Sequence, residues 1–206
     1  MSGSGPFQDK PTLRVEGVTL QRGERVLMRD LSFSAASGEL VEVRGANGAG
    51  KTTLLRAIAG FIKPHAGRIA FDSVEEPGLA LHFVGHLNAL KGGERVRAHV
   101  RYWAGLFAGR KDEEGVLERL GLSAQADLPA RVLSQGQARR LALTRLVVAP
   151  RPIWLLDEPA AALDAQGRDV LNGLIGEHRA AGGLVIAAVH EALGPASSRS
   201  LALGAA

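Results

Sequence analysis

The 206-residue chain contains no cysteine. That excludes a disulfide scaffold, thiol catalysis and any thiolate metal site. It also lacks an apolar run near the ~18–20 residues that a membrane-spanning helix needs. The longest uncharged apolar run toward the C-terminus, Ala180 to Val189, is too short. The start, MSGSGPFQDK, has no apolar core behind a basic segment, so it does not read as a secretory signal. Residues 1–10 are expected to be a disordered leader. No internal repeat is present, and the one biased stretch is the Ala/Gly/Ser-rich segment after Leu193. Residues 195–206 are therefore expected to be a flexible tail. These absences point to a protein made and kept in the cytoplasm.

What is present suits a globular domain. Hydrophobic residues are 46% and charged residues 22%, which excludes wholesale disorder. At roughly 100–200 residues per domain, the length fits one domain with a small inserted lobe. The net charge is +4, and 20 of the 25 basic residues are arginine. Residues 91–151 hold 12 basic and 6 acidic residues, so a basic region sits in a slightly acidic body. It reads either as a solvated Arg-rich surface or as a contact for phosphates, nucleic acid or an anionic membrane face.

Residues 12–21 alternate as a strand does, Arg22-Gly23-Glu24-Arg25 reads as a hairpin turn, and Val26 to Ser34 as its second strand. After Gly38-Glu39 comes the strand-like LVEVRG, then GANGAGKTT, then LLRAIAGF with helical periodicity. RIAF at 68–71 and LALHFVGH at 79–86 read as strands. From about Lys91 to Ala149 the pattern is helical. IWLLDEP at 153–159 and LVIAAVH at 184–190 read as buried strands, with a helix over 165–180 between them. Apolar strands separated by helices predict an α/β core of the parallel type. Residues 11–206 then form one domain, with 11–86 and 150–194 as its core and about 87–149 as an inserted helical subdomain.

Three segments carry chemistry. Gly45-Ala46-Asn47-Gly48-Ala49-Gly50-Lys51-Thr52 fits G-x-x-x-x-G-K-[ST] between a strand and a helix. Its glycines let successive N–H groups face phosphate oxygens, and the helix start adds partial positive charge. Lys51 would reach the β- and γ-phosphates, Thr52 would hold Mg²⁺, and Thr53 would meet an α-phosphate oxygen. The second segment, Ile153 to Glu158, ends a buried strand on Asp157 and Glu158. Asp157 would orient the Mg²⁺ shell, and Glu158 would polarise the attacking water. The third is Leu133-Ser134-Gln135-Gly136-Gln137, where Ser134 and Gly136 open a helix. A second anion-ready helix start is superfluous for one phosphate group. The economical account is that it serves ATP held by another copy of the chain.

With these segments in place the chain resembles the ATP-binding-cassette (ABC) family over about residues 12–192. GANGAGKTT looks like that family's phosphate loop, LSQGQ like its signature, and WLLDEP like its magnesium and general-base strand. Ala162-Leu163-Asp164 resembles the loop that contacts the partner subunit, and His190 the switch histidine near the γ-phosphate. The resemblance implies a P-loop NTPase core of ABC type with a mixed sheet, a small N-terminal antiparallel β lobe and an α-helical subdomain. It implies ATP and Mg²⁺ as cofactors, a head-to-tail homodimer sandwiching two ATP molecules, and integral membrane subunits as partners. Ser134, Gly136 and Gln137 would then bind the partner copy's ATP.

The chain departs from the family at several positions. Arg22 stands where an aromatic residue usually stacks on adenine, and a guanidinium plane can also stack there. Gly85-His86 stands in place of the usual glutamine, so His86 is either a γ-phosphate sensor or an ordinary loop histidine. Ala161 stands where serine is frequent. Segments such as RYWAGLFAG, RPIWLLDEPAAALDAQG and EHRAAGGLVIAAVH are similar to ATP-binding subunits of bacterial haem exporters in cytochrome c biogenesis. That similarity implies a peripheral protein on the cytoplasmic face of the inner membrane, attached through its partner only. His86 to Phe107, with Tyr102 and Trp103 exposed, is the expected docking surface. The rival cargoes are drugs, lipids or other small molecules. A soluble ATPase acting on nucleic acid or the ribosome is the other class, and no nucleic acid is expected as partner. A nucleotide-binding regulator without turnover is disfavoured by Glu158.

Overall fold

The computed structural model describes Phe7, residues 10–109, 112–193 and 199–204. Strands β1 (Thr12–Arg22) and β2 (Arg25–Ala35) form the expected hairpin, with Gly23 at positive φ in the tight turn. β3 (Leu40–Arg44) leads to helix α1 (Lys51–Ile58), followed by β4 (Ala66–Asp72). A single turn, α2 (Pro77–Ala80), precedes β5 (Leu81–Val84). Helices α3 (Val96–Leu106), α4 (Glu113–Arg119) and α5 (Gln135–Val148) make up the inserted block. β6 (Ile153–Asp157), α6 (Ala165–Ala180), β7 (Leu184–Ala188) and β8 (Arg199–Ala202) complete the order.

Antiparallel and parallel pairing are both present, but in separate sheets. The antiparallel sheet runs β2-β1-β4, and the parallel sheet runs β5-β6-β7-β3-β8. Side-chain alternation divides the core between the two faces of the parallel sheet. On one face Ile153, Leu155, Leu184 and Ile186 pack with α1 and the antiparallel lobe, through Leu54, Leu55, Leu13 and Val15. On the other Trp154, Leu156, Val185 and Ala187 pack with the helical block, through Val100, Leu117, Leu141 and Leu146. Strands buried on both faces are apolar throughout, and β6 and β7 are buried at every position.

Three expectations are corrected. Residues 79–80 belong to α2, a turn started by Pro77 and too short to leave a helical period. The tail expected to be flexible contains β8, which pairs in parallel with β3. Leu201 and Leu203 face the core two residues apart, an alternation hidden by the Ala/Gly/Ser composition around them. β7 stops at Ala188, so His190 lies beyond the strand rather than ending it. Of the expected leader, Phe7 and Lys10 are described and the rest lies outside the described residues. The Phe7 ring meets His178 edge-on at 5.4 Å.

Part of the basic excess of the helical block is engaged within the fold. Arg97 and Arg101 pair with Glu113 and Asp127. Arg140 donates to the carbonyls of Leu120 and Gly121, and Arg151 to those of Gly78 and Leu81. Arg139 and Arg145 are hydrogen-bonded to backbone carbonyls within the fold. Arg139, Arg140, Arg145 and Arg151 tie loops together, while Lys91, Arg95, Arg101, Arg119 and Arg131 stay at the surface.

Two histidines lie in the helical-side core. His178 stacks on Trp154 at 3.8 Å, and His82 meets Phe107 edge-on while its Nε2 bonds the Ala149 carbonyl at 2.6 Å. Burial lowers both pKa values to about 4, against opposing backbone hydrogen bonds. Between pH 6.5 and 4 the unfolded chain therefore binds protons that the folded chain refuses. The contribution of these two histidines to stability is complete above pH 6.5 and is expected to be lost as the pH drops toward 4, by up to about 1.4 kcal/mol per unit for each. Urea unfolding at pH 7.5 and 5 measures this fall, and His82→Gln, which keeps a donor for Ala149, should roughly halve it.

Candidate nucleotide-binding site

Parallel β strands place the loops that follow them along one edge of the sheet. β3 delivers residues 45–50, β5 delivers Gly85 and His86, β6 ends on Asp157, and β7 is followed by His190. The loops enclose a cavity of about 300 Å³. Residues 46–53, Asp157, Glu158 and His190 line it, together with Arg22, Leu27 and His86. Ala46, Asn47, Gly48, Ala49, Gly50, Lys51, Thr52, Thr53 and Arg22 thus share one cavity wall. Gly45 lies behind them, where a Cβ would come within 2.9 Å of the Leu203 carbonyl.

The loop geometry depends on Gly50. Its φ is +93°, and a Cβ there would sit 2.9 Å from Met28 Cε. Lys51 is buried, and its Nζ donates to the Gly45 carbonyl at 2.7 Å and the Ala46 carbonyl at 3.4 Å. Among the described residues no carboxylate pairs with it. A cation held only by carbonyls, beside the start of α1, makes an anion site.

Thr52 Oγ1 lies 3.0 Å from both Asp157 carboxylate oxygens. A hydroxyl and a carboxylate are hard oxygen donors that suit a small divalent cation shared with phosphates. Among the described residues no group of three acidic, histidine or cysteine side chains forms a cage, so the donor set is incomplete without the phosphates. Glu158 follows at φ +49°, with its N–H bonded to the Ala188 carbonyl at 2.9 Å. A non-glycine residue there is held against its own preference. Its carboxylate lies 3.4 Å from His190 Nε2, and the imidazole is half exposed at the cavity mouth. A carboxylate beside an imidazole can take a proton from water held near a phosphate.

Ser134, Gly136 and Gln137 do not line this cavity. Ser134 caps α5, accepting from Gln137 N, while the Gln137 side chain returns a bond to Ser134 N. Because the Ser134 hydroxyl accepts within the cap, its own proton stays available to an outside acceptor. A Cβ on Gly136 would sit 2.8 Å from the Ala162 carbonyl, so the start of α5 is pressed against the Ala162–Asp164 turn. Asp164 caps α6 by accepting from Gly167 N at 2.8 Å.

Sequence reasoning missed Leu27 and Met28, which shape the phosphate loop from the hairpin, and Arg139, whose bonds hold the Asp157–Pro159 turn. Arg139 shares a helix face with Ala142, Leu143 and Leu146, and a charge on an apolar face was the available signal. Trp103 is not exposed as expected. It is buried under the Arg145 guanidinium at 4.6 Å, while Tyr102 faces solvent. A separate cavity of about 330 Å³ beside Trp154, His178 and Arg119 contains none of the candidate chemistry.

A phosphate loop, a strand-end Asp-Glu pair and a capped signature helix, set on a parallel sheet with an antiparallel lobe, define a P-loop cassette. The ABC transporter family description matches residues 28–161. A protein of Hyphomonas neptunium called cytochrome c biogenesis ATP-binding export protein CcmA is 44% identical over 184 residues, covering 89% of this chain and 92% of its own. The protein of the same name from Bradyrhizobium diazoefficiens is 48% identical over 188 residues, covering 89% and 93%. The solved structure of a putative ABC transporter ATP-binding protein from Pyrococcus furiosus superposes with a TM-score of 0.81 at 22% identity, covering 93% of this chain and 97% of its own. The chain belongs to the ABC transporter family, in its CcmA branch.

Lys51→Ala removes the cation from the loop and is expected to weaken ATP binding by at least about tenfold. Titration with a fluorescent ATP analogue measures it, and unchanged affinity would remove Lys51 from the phosphate site.

Proposed function

We propose that this chain is the ATP-hydrolysing subunit of a bacterial inner-membrane ABC complex that exports or delivers haem for cytochrome c biogenesis. The observation that carries the hydrolytic part is Glu158 held beside His190 at the mouth of the phosphate-loop cavity. The cytochrome c part rests on relatives named for that process.

Lys51 and the loop N–H groups bind the ATP phosphates, and Arg22 stacks on adenine. Thr52 and Asp157 would hold Mg²⁺, which would supply positive charge to offset that of the phosphates. Glu158 accepts the proton of the attacking water, and His190 orients that carboxylate and the γ-phosphate. Two copies pair head to tail, so that Ser134, Gly136 and Gln137 of each close over the ATP of the other. Their position outside their own chain's cavity supports this arrangement.

No described helix is long and apolar enough to cross a membrane. We assign membrane attachment to integral partner subunits on the cytoplasmic face. A groove of about 340 Å³ between Ala89, Lys91, Glu94, His99 and Tyr102 suits their docking. We assign no nucleic-acid partner.

Glu158→Gln keeps the shape of the site and removes the base. It is expected to bind ATP normally and to lose at least about 100-fold in turnover. A phosphate-release assay beside a binding titration checks both, and normal turnover would remove Glu158 from its role.

A further inference from the structure

Arg139 lies in the second turn of α5, is 3% exposed and does not itself line the nucleotide cavity. Its guanidinium nevertheless makes five hydrogen bonds. Nη2 donates to the Asp157 carbonyl at 2.7 Å and the Glu158 carbonyl at 2.8 Å, and Nε to the Pro159 carbonyl at 3.2 Å. Nη1 donates to the Gly85 carbonyl at 2.8 Å and to Asn88 Oδ1 at 3.1 Å. Burial pulls the pKa of the guanidinium down from the arginine value, and the Asp157 and Glu158 charges oppose that shift.

We propose that Arg139 is a positioning residue for ATP hydrolysis, fixing the turn that carries Glu158 and the loop that carries His86 to the signature helix α5. This rests on the hydrolytic role of Glu158 given above. Three consecutive carbonyls leave the sheet at the end of β6, and a buried carbonyl needs a donor. Only a planar fork of five donors satisfies these three together with two acceptors from a separate loop. The peptide groups on both sides of Glu158 are thereby held: its N–H by Ala188 and its C=O by Arg139. That bracing suits a residue in a left-handed conformation, which persists only where its surroundings impose it. Arg145 adds a second tie, donating to the Asn88 carbonyl at 3.1 Å. Because Arg139 acts through the position of the base, its loss should affect turnover and spare nucleotide binding.

The test uses the full chain, with Arg139→Lys and Arg139→Gln made singly and in a Glu158→Gln background. Single-turnover hydrolysis, nucleotide binding and thermal melting are measured on each. Both single variants are expected to bind the fluorescent ATP analogue within about threefold of the parent. Hydrolysis should fall at least about tenfold in Arg139→Gln and by less in Arg139→Lys, which keeps some donors. Adding either change to Glu158→Gln should cost little more, since the group being positioned is already gone. If Arg139→Gln does not fold, the lysine variant carries the comparison. Parent-like hydrolysis by Arg139→Lys, a loss that tracks the folded fraction, or a binding loss equal to the rate loss each overturns the proposal. Fully additive losses in the double variant do the same. Retained hydrolysis by Glu158→Gln alone overturns the underlying role of the base, and this proposal with it.

Discussion

Backbone carbonyls that leave the carboxyl edge of a buried parallel sheet must find donors without water. In this chain cationic side chains meet much of that need. Lys51 bonds Gly45 and Ala46, Arg139 bonds Gly85, Asp157, Glu158 and Pro159, and Arg145 bonds Asn88. The loops at this edge take the shape a reaction site requires because donors buried beside them fix that shape. Lysine is the one donor of this set that meets the cavity, where phosphate oxygens can compete with the carbonyls for it.

The same constraint explains the charge distribution. A basic block on an acidic body invites a search for an anionic partner outside the molecule. Part of that charge is instead engaged within the fold, Arg139, Arg140, Arg145 and Arg151 each donating to backbone carbonyls. Arginine suits this use because it stays charged when buried and spreads its donors over a plane.

Local features were legible in the sequence. The phosphate loop, the Asp157-Glu158 strand end and the hairpin at Gly23 each occupy a few consecutive residues whose types dictate their geometry. The Ser134 cap was also readable, since a serine with glutamine three residues on is a helix-start pattern. What stayed hidden depends on distant segments. Nothing near Leu27 and Met28 announces that they pack under Gly50. The burial of Trp103 depends on Arg145 lying over it from another helix. His86 could be read as sensor or loop residue, and the fold brings it to the cavity wall while its neighbour Leu87 faces solvent.

Strand β8 sits beside β3, and Leu203 N donates to the Arg44 carbonyl at 2.7 Å, immediately before the phosphate loop. The loop's outer wall is therefore supplied by residues translated long after the loop itself. A growing chain on the ribosome carries the whole phosphate-loop sequence before β8, the outer neighbour of β3, has been made, so Gly45 gains its backing from Leu203 only when nearly the whole chain is available.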